Sequence, residues 1–344
     1  MSDIVLSGIR ATGRLHFGNF IGAVQNFVRY QDGDNTCLYF VADWHTLTTL
    51  DNPEDLRENL VEMVKDYLAA GLDPQKSIIY AQSSVPEIAE LALYLSMLQP
   101  LGALQNIPTY KDLIRKTRNK PEDIADEDNE RSTLGLITYP VLMAADILGP
   151  GATLVPVGED QVPNVELAQK LARRFNNRFE TDLFVVPQFM EDMVRVPGLD
   201  GNKMGKSEAD NAIDINAPIG VIAERYKKKG VTDPQRVKLE IPGDPYNRCQ
   251  SVYPVHELVT PGESETREIA KLCQSASIGC GDCKQRLVSS IADILVPFQE
   301  QRRYWDERTD EVREILIEGG REARKIIAPT VGEVRELMGV RLYA

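Results

Sequence analysis

The chain reads as an α/β protein, a parallel sheet with helices on both faces, followed by a mainly helical second region. Three observations predict this. Short apolar runs alternate with amphipathic stretches as far as about residue 200, and strands separated by helices need crossovers that make the sheet parallel. Strand signals then fade after about residue 210 while helical periodicity continues. A length of 344 residues suits two domains, or one large domain with an appendage.

The elements follow in order. Ile4, Val5 and Leu6 form an apolar run that reads as a buried strand. A turn carrying Gly8, Thr12 and Gly13 follows, and a helix is expected to begin with His16, Gly18 and Asn19 in its first turn. TCLYFVAD (36–43) is the second strand, with Cys37 in the core. Residues 52–74 form a helix capped by Asn52, with Pro53 in its first turn and Gly71 at its end. Leu56, Leu60, Met63, Val64 and Tyr67 are its inward stripe. SIIYAQS (77–83) is the third strand and 86–100 the next helix. In TYPVLMAADIL, Pro140 suits a first helical turn, which puts Tyr139 just before the helix and Met143 and Asp146 on one face. TLVPVGEDQ (153–161), the helix 164–175 and LFVVPQF (183–189) complete the alternation. The segment 116–133 lacks an apolar stripe and reads as a charged loop. IGVIAERYKKKG, ETREIAKLCQSA, the stretch from Cys283 to Glu307 and VGEVRELMGV read as helices. The expected division is 1–199, then 200–325, with a final helix at about 326–344 packing back on the first part.

Composition bounds the function. Apolar content of 42% and charged content of 26% are ordinary for a soluble protein. No apolar run approaches a membrane span, and the N-terminus lacks a basic region followed by an apolar core. A cytoplasmic protein with no membrane partner is expected. A net charge of −13 argues against a general nucleic-acid coat, and the basic stretches RYKKKG and QRRYW read as solvated helix faces. Ligands of a parallel sheet sit beyond the carboxyl ends of its strands. SGIRATG, ADWH and GEDQ fall there, although neither GxxxxGKS nor GxGxxG is present.

His16-Phe17-Gly18-Asn19 and Lys203-Met204-Gly205-Lys206-Ser207 together resemble the HIGH and KMSKS signatures of the class I aminoacyl-tRNA synthetases. The intervening YPVLMAADIL and VPVGEDQ resemble specifically the tryptophanyl branch, and the likeness runs from the SGI stretch to the closing helix. Two residues depart from the general pattern. Asn19 stands in place of the second histidine, as is usual in that branch, and Gly205 in place of a serine, which removes a hydroxyl and loosens the loop. The resemblance implies a Rossmann-type catalytic domain and a helical anticodon-binding domain. It implies activation of L-tryptophan by ATP with Mg²⁺, transfer to tRNA(Trp), and a homodimer. Two rivals stand beside it: a tyrosyl enzyme, and a synthetase-like protein that binds RNA or a partner without charging tRNA.

The residues can be matched to that chemistry. Displacement at the α-phosphorus of ATP needs positioned groups and stabilised negative charge rather than covalent help. His16 and Asn19 share a helical face and both can donate hydrogen bonds, while Gly18 lets adenosine approach the backbone. The plainer alternative for His16 is a capping or solvated histidine. Lys203 and Lys206 would act as point charges on the outer phosphates, in a loop rich in Gly198, Gly201 and Gly205; the alternative is a lysine-rich surface turn. Lys111, or Lys116, is the expected third cation. A buried carboxylate needs a donor, and an indole N–H is one, so Asp146 is the candidate indole partner, although a tyrosine hydroxyl could also serve it. The resemblance adds Arg10, Met204 and Ser207 to the ATP site. It assigns Asp160 and Gln161 to the ribose and the amino group, and places Tyr139, Met143, His45, Ser7 and Gly8 around the tryptophan.

Of five cysteines, Cys249, Cys273, Cys280 and Cys283 cluster late, the last two in a short GCGDC loop. Cytosolic chains seldom use disulfides. The remaining readings are reduced bystanders, a Cys₄ zinc site and a cluster. The tryptophanyl family includes members with a [4Fe–4S] cluster at very similar spacing, which makes that the expectation.

Overall fold

In the computed structural model, which describes residues 2–48, 52–104, 107, 133–190, 193–205 and 210–340, β1 (Ile4–Ile9) pairs along its whole length with β2 (Thr36–Val41). β2 pairs with β3 (Ser77–Ala81), and on its other side β1 meets β4 (Leu154–Pro156), which pairs with β5 (Gln188–Met190). All are parallel, in the order β3-β2-β1-β4-β5. The chain builds outward from β1 in one direction and then crosses to the other, so the crevice between β1 and β4 is the switch point where parallel sheets bind ligands.

Alternation along the strands sends side chains to two cores. Val5, Cys37, Tyr39, Val41 and Ile79 face one, with α2 (Gln25–Gln31) and α4 (Pro53–Ala69). Leu6, Leu38, Phe40 and Tyr80 face the other, with α5 (Glu87–Ser96), α7 (Leu134–Leu148) and α8 (Val162–Phe179). Short helices α1 (Phe17–Asn19), α3 (Asp43–Thr46) and α6 (Leu101–Leu104) fill connections. A π-helical stretch, Phe20–Val24, joins α1 to α2. Beyond the sheet come α9 (Ile219–Lys229), α10 (Val252–Val259), α11 (Glu263–Gln274), α12 (Cys280–Asp306) and α13 (Thr309–Met338).

Several elements differ from the sequence reading. β4 ends at Pro156, with one last bond from Val157 N–H to Met190 O at 3.1 Å, and a 3₁₀ turn (Glu159–Gln161) follows. β5 begins after Pro187 rather than at residue 183, because Asn176 bonds both backbone groups of Phe184 and holds that stretch off the sheet. Pro140 lies inside α7, not at its start; an interior proline costs about 3 kcal/mol, which the packing of α7 between α5 and α8 offsets. Cys280 and Cys283 occupy the first turn of α12 rather than a loop.

The last helix is one 30-residue rod lying across β3. Gly319 and Gly320 make this possible. A methyl group at Gly319 would fall inside the contact radius of the Ile79 carbonyl oxygen, and one at Gly320 would meet Ser84. Arg324 and Arg335 bond Glu87 and Glu90 of α5. Because a backbone carbonyl cannot swing aside, Gly319→Ala is expected to destabilise the protein by about 3 kcal/mol or more. Gly332→Ala, in open space on the same helix, should gain roughly 0.5–1 kcal/mol. Urea unfolding of the two variants measures both, and equal effects would remove the close-approach argument.

Candidate active site

The segment after β1 arrives at the switch point as an N-capped helix start. His16 is extended and its Nδ1 accepts the Asn19 N–H at 3.2 Å. With Nδ1 accepting, the ring hydrogen is on Nε2, which makes the imidazole a neutral donor. The capping role and the donor role are therefore compatible. Three contacts hold this start in place. Phe17 is fully buried and its N–H donates to Ile213 O at 2.8 Å. His16 forms an antiparallel bridge with Asp214. Leu15 N–H donates to Asp66 Oδ2 at 2.9 Å. The expectation that His16 lies within the helix is corrected by one position: the helix opens at Phe17.

The second signature folds onto the first. Gly18 N–H donates to Met204 Sδ at 3.2 Å, and Met204 is 3% exposed. A Cβ at Gly18 would lie 2.9 Å from the His16 ring and 3.2 Å from Met204 Cβ. Those two side chains already leave no room for a Cβ at Gly18. Lys203, exposed, ion-pairs with Asp160 at 3.2 Å from the turn after β4. Asp160 also accepts from Gln161 at 3.0 Å, and Asn164 in turn donates to Gln161 at 2.9 Å. Against the cost of burial, the bonds from Gln161 and Lys203 hold the Asp160 carboxyl below its usual range. Lys111, Lys116, Lys206 and Ser207, like the charged segment as far as residue 132, lie outside the described residues.

Asp146 is 1% exposed. Its carboxylate is 2.9 Å from His45 Nε2 and accepts from Gln82 Nε2 at 2.8 and 2.9 Å. Burial pushes this carboxyl above its ordinary pKa, while His45 and Gln82 pull it back. The Tyr139 ring stands edge-on to His45 at 6.1 Å, and Met143 is half-buried one turn before Asp146. Ser7 Oγ donates to Pro156 O at 3.2 Å, which ties β1 to β4 at the crevice. Gly8 makes room for the Phe40 ring, 2.6 Å from where a Cβ would be. Arg10 follows the end of β1, where partial burial lowers its guanidinium pKa from the ordinary value. Gln82, Asp66 and Asn164 escaped the sequence reading. Gln82 immediately follows β3, so the strand-end rule that pointed to ADWH and GEDQ could have found it; Asp66 carried no such signal.

The four late cysteines line one pocket with Arg236, Asp233 and Tyr253. Arg236 reaches Cys273 Sγ at 3.5 Å, and the Tyr253 N–H donates to Cys249 Sγ at 3.3 Å. Burial, reinforced by the three neighbouring thiols, pushes Cys283 up to about 12. Among the described residues, no three His, Cys, Asp or Glu side chains are arranged to hold a metal ion; the thiols share a pocket without closing to ligand spacing.

A parallel sheet of this order, with a capped helix start and a lysine-bearing turn joined beside its switch point, has the parts of a nucleotide-binding site of the Rossmann type. The sequence model described as tRNA synthetases class I (W and Y) matches residues 2–296, and the chain belongs to that family. It is 41% identical to a tryptophan–tRNA ligase of Thermotoga maritima over 98% of this chain and 99% of that one. With the ligase of Porphyromonas gingivalis it shares 39%, covering 98% and 100%. A crystal structure of tryptophanyl-tRNA synthetase from Campylobacter jejuni, complexed with ADP and tryptophan, superimposes with a TM-score of 0.80 at 32% identity, covering 98% of this chain and 99% of that one.

Proposed function

We propose that the chain is a tryptophan–tRNA ligase. The carboxylate of L-tryptophan attacks the α-phosphorus of ATP, pyrophosphate leaves, and the tryptophanyl group then passes from the adenylate to tRNA(Trp). The observation that carries this reading is the contact of Gly18 with Met204, which joins the two signature segments beside the switch point. His16 and Asn19 would donate to phosphate oxygens, and Lys203 and Lys206 would meet the outer phosphates with Mg²⁺. Lys203 would leave Asp160 for the phosphates, freeing that carboxylate for the ribose. Asp146 would accept the indole N–H as a further donor beside His45 and Gln82. ADP and tryptophan in the Campylobacter relative support the same pair of ligands here. Tryptophan-dependent exchange of pyrophosphate into ATP is the test: exchange with tryptophan and not with tyrosine is expected. Exchange with tyrosine alone, or none, defeats the reading.

We place the catalytic domain at 1–199 and the anticodon-binding region at 200–325, in the cytoplasm. Among the described residues no helix is long and apolar enough to cross a membrane. A homodimer is supported by the exposed apolar side chains Leu93, Met97, Leu101 and Leu134; a monomer by light scattering would exclude it.

Four sulfurs lining one pocket supply the donor set of a thiolate-bound centre, and we propose that they would close from their present spacing to hold a [4Fe–4S] cluster at Cys249, Cys273, Cys280 and Cys283. It would tie α12 to α11 and to the segment that precedes α10; activation moves no electrons. Anaerobically purified protein should be brown, absorb broadly near ~400 nm and carry about four iron atoms per chain. Colourless protein holding zinc, or no metal, overturns the assignment.

A further inference from the structure

We propose that Gln299 and Arg302, one turn apart on α12, are positioning residues for the ATP loop that carries His16. Each bonds a support of that loop, and the two supports are separate.

The first support is Asp66. Its carboxylate is fully buried on α4 and is shared between two partners. Oδ2 accepts the Leu15 N–H at 2.9 Å, immediately before His16, and Oδ1 accepts Arg302 Nε at 2.8 Å. Arg302 is itself 3% exposed and also bonds Glu62 and Asp306. Its planar fork fixes the direction in which Asp66 presents its second oxygen. The second support is the segment 213–217. Ile213 O accepts the Phe17 N–H, and Asp214 bridges His16. Gln299 Nε2 donates to Ile215 O at 2.8 Å and to Ala217 O at 2.9 Å, so it clamps that segment from the far side. The two residues thus brace the helix start from both flanks. Tryptophan's candidate partners Asp146, His45 and Gln82 stand on other elements and share none of these bonds.

A shift of the His16 loop would be felt at the phosphates, where a misplacement of about 1 Å can cost about 10²-fold. The indole pocket would be spared. α12 begins at Cys280 and Cys283, roughly 30 Å from Arg302, so the cysteine pocket and the loop's braces belong to one helix.

The inference rests on the activation reaction proposed above. Its test uses Gln299→Met, which keeps length and removes both donors, and Arg302→Lys, which keeps charge and removes the fork. For each, pyrophosphate exchange gives kcat and KM for ATP and for tryptophan, calorimetry gives ATP affinity directly, and thermal unfolding reports the fold. The expected result is a rise of about ten-fold in ATP KM and Kd, with tryptophan KM within about two-fold. A merely structural role would instead lower the active fraction and leave both KM values unchanged. Folded Gln299→Met with wild-type ATP affinity overturns the proposal; if Arg302→Lys does not fold, Gln299→Met decides alone. Absence of exchange in the wild-type chain would sink the activation reading, and the ATP affinities would still judge this one.

Discussion

Asp146→Ala is expected to lower kcat/KM for tryptophan by roughly 10²-fold or more while leaving ATP KM little changed. The argument is one of unpaired groups. In the native chain the carboxylate is almost wholly out of water and is held by His45 and Gln82 at 2.8–2.9 Å. Removing it takes away the acceptor proposed for the indole and leaves the buried His45 and Gln82 groups without the partner they bond. Sites built to hydrogen-bond a substrate group discriminate strongly for this reason. Asp146→Asn sharpens the test. It preserves volume but replaces two accepting oxygens by one, and its N–H₂ is met only if His45 changes tautomer or the Gln82 amide turns to accept, while the indole can only donate. A wild-type tryptophan KM in Asp146→Asn would show that the carboxylate does not select the ring.

His16→Ala should cost about 10²–10³-fold in kcat for exchange, the usual price of one donor to developing phosphate charge. It should also cost about 1 kcal/mol of stability, because the ring caps α1 through Nδ1. His16→Asn separates the two losses. Asparagine is a good N-cap, so stability should return while the rate stays low, since a shorter side chain cannot place a donor where Nε2 stands. Stopped-flow or exchange kinetics beside urea unfolding measures both. A fast His16→Asn enzyme would mean that the histidine serves the helix alone.

The first four strands were readable because each is an apolar run bounded by glycine, proline or charge; the fifth was misplaced, because the apolar run before Pro187 is held off the sheet by Asn176. Their order was not, since nothing local says that β4 lies beside β1. The two signatures were readable as strings. Their junction through Met204 was not, because a buried methionine looks like any other. Residues 309–330 carry Gly319, Gly320 and Pro329, which break a helical reading, yet two of those breakers are what the contact with Ile79 and Ser84 demands. Gln82 sat at a strand end and could have been named. Asp66 and Arg302 could not, being charged residues of ordinary amphipathic helices whose partners are 236 positions apart.

The rod across β3 has a bearing on synthesis. A ribosome finishes the first four strands long before it reaches Thr309, so the outer strand of the sheet emerges with its covering still untranslated. Until those late residues leave the exit tunnel, the nascent sheet presents a naked margin of the kind that pairs with other chains.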